Sequence, residues 1–278
     1  MSNTFNESPE ILELSKKNWI DILFYIFCGL IFLFLMLPLF IILPISFSSS
    51  LYLEFPPRGF SLQWYRNYFG AGEWMRATLN SFKIGIMTSA FSSLLGVPAA
   101  LFLSRKRFKG KQFIYSFLLS PMIVPTIIIA IAVYFLFAKM ALVGSIYSIA
   151  LAHTVLAVPI MVITVSAALQ GVDQSLEYAA MILGANRVKT FFKITFPLIR
   201  SGVITGALFA FITSFDEIVI AIFLSSHPSL TLPKHMWSAI LEEIDPTIAA
   251  VSTILVFLSV SLLLSVAWLR KLAERLMG

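Results

Sequence analysis

From Trp19 to Phe47 the chain reads WIDILFYIFCGLIFLFLMLPLFIILPISF, with Asp21 its only charged residue. A helix rises about 1.5 Å per residue, so roughly 20 apolar residues cross the hydrocarbon core of a bilayer. A helix packed on a water-soluble core would need a polar face, and this run has none. Further apolar blocks at 76–103, 113–137, 145–170, 202–224 and 247–269 predict six spans. The expected fold is an all-α polytopic membrane protein with one transmembrane domain over 1–278, Pro38 and Pro44 bending the far end of the first span. Composition agrees: 59% of residues are hydrophobic and 12% charged, against about 25% charged in a soluble domain. The first run exceeds signal-peptide length and lacks a small-residue cleavage site, so it is expected to remain as the first helix. The single cysteine, Cys28, lies inside it and reads as a small hydrophobe.

The net charge of +6 is distributed as a topology signal and implies no nucleic acid. With the N-terminus inside, the inner segments hold Lys16 and Lys17, the cluster Arg105, Lys106, Arg107, Lys109 and Lys111, then Arg187, Lys189, Lys193 and Arg200, and finally Arg270, Lys271 and Arg275. Arg58, Arg66, Arg76, Lys83, Lys139 and Lys234 fall in or near the longer outer segments. Both termini are therefore expected in the cytoplasm. The aromatic-rich outer segment 48–75 reads as an interfacial belt. The outer segment 225–246 reads as a surface or re-entrant helix in which Trp237, beside His235, is an interfacial anchor. Glu242, Glu243 and Asp245 there read as a solvated face, or as a surface for a docking protein.

Catalytic chemistry is not visible. His153, His227 and His235 show no zinc-protease spacing, no nucleophile elbow is present, and Gly110-Lys111 lacks the rest of a phosphate loop. No catalytic or metal-binding residue is assigned, and the chain is not expected to be an enzyme. His153, at the start of the fourth span, reads as an interhelical hydrogen-bonder. A self-sufficient secondary transporter would need an internal coupling site and usually an inverted repeat; neither is evident.

One stretch interrupts the apolar pattern, EYAAMILGANRVKTFFKITFPLIRSG at 177–202, within a loop expected over 171–201. QSLEYAAMIL predicts a short helix stopped by Gly184. NRVKTFFKITF is amphipathic, and Pro197 is expected to start a new helical direction. Composition leaves two readings, a basic helix lying on anionic lipid or a docking element exposing Ala179, Ala180 and Leu183.

The pattern favours the second. Glu177, Ala179, Ala180, Gly184, Ala185, Phe191, Ile194 and Pro197 resemble the E-A-A-x-x-x-G-A-x-x-x-x-x-F-x-x-I-x-x-P signature of ABC importer permeases, Tyr178 departing from the first alanine. PISFSSS, FSLQWYRNYF, RKRFKGK, SPMIVPTIIIA and SFDEIVIAIFLSS are similar to permeases of the polyamine (spermidine/putrescine) subfamily, over about 38–265. Permeases for opines, aminophosphonates, thiamine and ferric iron share several of these markers. The resemblance implies a cytoplasmic coupling helix seated on an ATPase dimer whose subunits bind ATP and Mg, with no cofactor in this chain. It also implies a second, non-identical permease subunit, a periplasmic or lipid-anchored substrate-binding protein, and alternating access. By the same resemblance Glu177 organises the coupling helix, Ala180 and Leu183 touch the ATPase, and Gly184 allows the turn.

Asp216 and Glu217 stand deep in the predicted fifth span. Ionisable groups inside a membrane cost about 2.5–3.5 kcal/mol each on insertion scales, so they require partners, water or a purpose. One of them, or both, is read as lining the passage of a cationic substrate; the alternative is structural, an interhelical hydrogen bond or ion pair, for which Lys83 is one candidate partner.

Overall fold

The computed structural model describes residues 10–70, 72–242 and 245–261, without the side chains of 10–18, 20 and 242. Among the described residues every regular element is helical, and Ser48 and Phe60 form one isolated bridge. The chain divides into two units.

The first unit takes in the described residues up to Tyr68 and 245–261. Its α1 (Glu10–Ser46) carries Pro38 and Pro44 inside the helix, and Asp21–Ser46 is long and apolar enough to span. After it, α2 (Gln63–Gly70) begins in this unit and buries Trp64 and Tyr68. The Trp64 indole Nε1 donates to the Ser48 carbonyl at 2.8 Å, and Tyr65 shares a 2.8 Å hydrogen bond with Ser46. These aromatics fasten the loop to the end of α1, which corrects the expectation that the whole 48–75 segment is an interfacial belt. Tyr52 and Phe60 do stay exposed. Asp245 caps the following helix by accepting from the Thr247 N–H at 2.8 Å, a more specific role than a solvated face. Of the expected sixth span, Thr247–Ser261 is helical; the remainder to 269, the cations at 270, 271 and 275, and Glu243 lie outside the described residues.

The second unit is built around three long helices, α3 (Gly72–Arg105), α6 (Ile146–Gln170) and α8 (Arg187–Phe215). Val97, Ala100, Met161, Val162, Val165 and Ile199 form one buried cluster between them, and Ile84, Ile149 and Ala152 contribute to a second. Small residues set the spacing, as expected where lipid supplies no hydrophobic drive between helices. A Cβ built on Gly202 would lie 2.5 Å from the Ala168 Cβ and 3.2 Å from the Thr164 carbonyl oxygen, so α6 and α8 approach backbone to backbone there.

The predicted third span is broken. Lys111–Met122 (α4, Lys111–Leu119, and a 3-10 turn) and α5 (Thr126–Lys139) are bent by 96°. Pro125 supplies the reason: it lacks an N–H, pushes Val124 out of helical geometry, and starts α5 as its extended N-cap. Counting that bent pair once, five segments among the described residues are long and apolar enough to cross a membrane. The fourth span fits expectation, with the Ser145 hydroxyl capping α6 at the Tyr147 N–H.

The predicted fifth span differs at both ends. Helix α8 begins at Arg187 and continues through Pro197, where a new direction was expected. A π turn at Phe191–Thr195 precedes the proline, and such widening accommodates its missing N–H and its clash with the preceding turn. Phe191 and Ile194 are half-buried, so the amphipathic segment is the root of a span, not a separate surface helix. At the other end α8 stops at Phe215, and α9 (Val219–Leu224) follows a break. The segment after α9 packs back onto α3: the Asn80 amide donates to the Pro228 and Leu230 carbonyls, each at 3.0 Å, and Ser81 accepts from the Leu232 N–H of α10 (Leu232–Glu242). His235 packs against Trp74 with ring centroids 4.2 Å apart and the planes tilted by 58°, while Trp237 is exposed.

Candidate functional site

Two groups of predicted residues occupy different parts of the second unit. The signature stretch forms α7 (Gln174–Ile182), with both ends closed by local chemistry. Asp173 Oδ1 accepts from the Ser175 N–H at 2.9 Å, and that backbone bond, with Ser175's side chain, holds the Asp173 carboxyl below the usual value. The positive charge of Arg105 adds to this in the same direction. At the other end the Ala185 N–H reaches the Ala180 carbonyl and the Gly184 N–H reaches Met181, each at 3.0 Å. This Schellman arrangement requires the left-handed φ of +88° that Gly184 adopts. Asn186 Oδ1 then caps α8 at the Lys189 N–H.

The turn leaves Ile182 86% and Leu183 88% exposed, beside exposed Leu176, Tyr178 and Ala179. Ala180 and Ala185 are half-buried. Counting back from Gly184, the quoted signature puts its acid at Tyr178; Glu177 stands one residue upstream, while Ala185, Phe191, Ile194 and Pro197 are in register.

Glu177 is nonetheless the centre of this site. Its Oε1 accepts from Arg105 Nη2 at 2.8 Å, from Arg105 Nε at 3.1 Å and from Thr195 Oγ1 at 3.1 Å. Arg105 Nη2 also reaches the Val172 carbonyl at 3.3 Å. The two charged side chains are only 15% and 13% exposed, so removing one partner would strand a largely dry charge, at a cost of about 3–5 kcal/mol for a fully buried pair. Sequence reasoning missed Arg105 and Thr195: Arg105 entered only as one cation of a basic loop, and it lies 72 residues from Glu177.

The acids take opposite roles at the break between α8 and α9. Glu217 Oε1 accepts from the Val219 N–H at 3.0 Å and Oε2 from the Ile220 N–H at 2.8 Å. In an unbroken helix those amides would bond to the carbonyls of Phe215 and Asp216. The carboxylate thus satisfies backbone groups that an apolar environment would otherwise leave unpaired. Oε2 also lies 3.4 Å from His153 Nε2, both side chains being buried. His153 Nδ1 contacts Ser214 Oγ at 2.8 Å, Ser214 donates to Thr88, and Thr88 donates to the Ala150 carbonyl. Because the Ser214 proton goes to Thr88, Nδ1 must be the donor to Ser214. Asp216 is exposed, and its carboxylate makes no hydrogen bond or ion pair among the described residues. The suggested Lys83 partnership does not form; Lys83 is exposed and pairs with neither acid. Both acids lie outside the helices, between the end of α8 at Phe215 and the start of α9 at Val219.

Residues 92–278 match the family described as binding-protein-dependent transport system inner membrane component. The chain belongs to that family. It is 30% identical over 236 residues to the spermidine/putrescine transport system permease protein PotC of Haemophilus influenzae, covering 85% of this chain and 91% of that one. It is 32% identical over 244 residues to the putrescine transport system permease protein PotI of Escherichia coli K12, covering 85% and 86%. The fold is that of a chain in the crystal structure of a bacterial ABC transporter involved in the import of the acidic polysaccharide alginate, with TM-score 0.70, 15% identity, and 95% and 99% of the two chains covered. The permease is therefore a multi-pass inner-membrane component of an ABC importer, a transport protein and not an enzyme. Family membership implies work alongside another permease, an ATPase and a binding protein.

Proposed function

We propose that this permease moves a polyamine of the spermidine/putrescine class inward by alternating access, as one of two non-identical membrane subunits driven by a cytoplasmic ATPase dimer. Cargo is delivered by a periplasmic or lipid-anchored binding protein. The likeness to PotC and PotI over most of the chain supports the cargo class. So does the chemistry of Asp216, an exposed, unpaired carboxylate at the break between α8 and α9, suited to an ammonium group.

The observation that carries the reading is the exposed apolar tip of α7. Ile182 and Leu183 project from a helix that buries none of its own side chains, a surface suited to another protein. In this reading α7 is the coupling helix, its end of the bundle and both termini face the cytoplasm, and ATP and Mg are held by the partner ATPase alone. Ala179, Ala180, Leu183, Gly184 and Ala185 form its contact face and turn, and Glu177 holds it to the bundle. Closure of the ATPase dimer on ATP pushes α7 and opens the permease outward; hydrolysis resets it.

The test is uptake into proteoliposomes holding the full complex, with ATP enclosed and the binding protein outside. Labelled spermidine or putrescine should accumulate only when ATP, ATPase and binding protein are all present. Uptake without ATPase subunits would refute the coupling mechanism, and indifference to both polyamines alongside uptake of thiamine or ferric iron would refute the cargo.

A further inference from the structure

We infer that, given α7 as the ATPase contact proposed above, Arg105 is the positioning residue that makes α3 move with it. Helix α7 has no fully buried residue to fasten it to the bundle. A hollow of about 370 Å³, lined by Leu101, Phe102, Met181 and Phe191 among others, lies beside it. A polar junction crosses this region. One oxygen, Glu177 Oε1, takes two hydrogen bonds from Arg105 on α3 and one from Thr195 on α8. Arg105 also holds the Val172 carbonyl in the turn leading into α7.

These contacts differ in stiffness. Two donors of one planar guanidinium on the same carboxylate oxygen fix distance and orientation together, and they are charge-assisted. Thr195 offers one neutral hydrogen bond with a rotatable hydroxyl. A displacement of α7 therefore reaches α3 through a stiff, directional link, in addition to the short turn 183–186 that joins α7 to α8. Arg105 is the last residue of a helix that begins at Gly72, roughly 50 Å away at 1.5 Å per residue. Near the other end of α3, Asn80 and Ser81 hold the segment from Pro228 to Leu232. The Glu177–Arg105 pair thus connects the motor contact to the segment that closes over the opposite end of α3.

Arg105→Ala, Arg105→Lys and, as a control, Gly184→Trp are to be compared with wild type as assembled complexes in proteoliposomes. The readouts are amount of complex, ATP hydrolysis, and spermidine accumulated per ATP hydrolysed. For Arg105→Ala, complex and basal hydrolysis should persist while solute moved per ATP falls about tenfold, within the usual range of a coupling free energy. Lysine should recover part of the loss, supplying the charge without the fork. A wild-type ratio in Arg105→Ala overturns the inference, even if less complex assembles, because a merely structural role lowers quantity and not ratio. If the alanine variant yields no complex, the lysine variant decides: a reduced ratio supports the link and an unchanged one overturns it. Loss of coupling in Gly184→Trp with none at Arg105 sinks this link alone. Normal coupling in both sinks the assignment of α7.

Discussion

Glu217 Oε2 lies 3.4 Å from His153 Nε2, while Asp216, the next residue back, is exposed and unpaired. One carboxylate is consumed in holding the break between α8 and α9, and the other is left available. Glu217→Gln or His153→Ala should therefore lower the folded yield and thermal stability of the permease, by about 1–3 kcal/mol for a buried polar group left without its partner. Asp216→Asn should leave yield and melting temperature unchanged and raise the KM for spermidine by roughly tenfold or more, the worth of one charge-assisted contact. Wild-type uptake kinetics in Asp216→Asn would remove it from the pathway.

Gly184 has φ +88°, and a Cβ there would meet nothing within 4 Å. A substitution consequently acts through backbone conformation, at a cost of about 1–2 kcal/mol, and through the shape presented by the turn. Gly184→Val should insert and accumulate normally yet hydrolyse ATP without proportionate uptake. Uptake per ATP at the wild-type level, measured in vesicles, would exclude this turn from coupling.

The contact between Gly202 and Ala168 is limited by backbone, so neither helix has a flexible side chain to move aside. Gly202→Leu should destabilise the α6–α8 packing by about 1–3 kcal/mol or more, read as a lower melting temperature in detergent. Ala168→Gly in the same chain should restore part of the loss, since the Ala168 Cβ is the nearest obstructing atom. No rescue would place the defect elsewhere.

Asp173 caps α7 with a carboxyl whose folded-state pKa lies below its ordinary value. A depressed carboxyl contributes stability above the unfolded pKa and loses it as pH falls through the folded one. The melting-temperature gap between wild type and Asp173→Ala should thus be full at neutral pH and narrow below about pH 4. Asp173→Asn should keep the cap without that acid dependence, because its side-chain oxygen still accepts the amide. A gap independent of pH would mean that the charge contributes nothing.

The Schellman stop at Gly184 was legible because helix caps are local: the residues that make the bonds are neighbours in the chain. The start of α6 at Ser145 and the apolar blocks were legible for the same reason, propensity and hydropathy being carried by consecutive residues. The break in the third span was foreshadowed by Pro121 and Pro125, yet uninterrupted hydropathy across 113–137 outweighed them. Hydropathy reports burial in lipid; it does not report direction.

The continuation of α8 through Pro197 shows the complementary failure, a local breaker overridden by a π turn that only three-dimensional packing selects. For Glu217 the sequence left a passage role and an interhelical contact both open, because its partners are two backbone amides just ahead and a histidine on another helix.

By itself the chain determined which segments leave water, where the signature helix starts and stops, and which family it resembles, because each of these depends on residues a few positions apart. Only the tertiary structure decided that Arg105 grips Glu177, that Glu217 is consumed while Asp216 stays open, and that α6 and α8 meet at Gly202. Arg105 and Glu177, Glu217 and His153, and Gly202 and Ala168 lie far apart in sequence, and their contacts exist only once the helices are placed side by side.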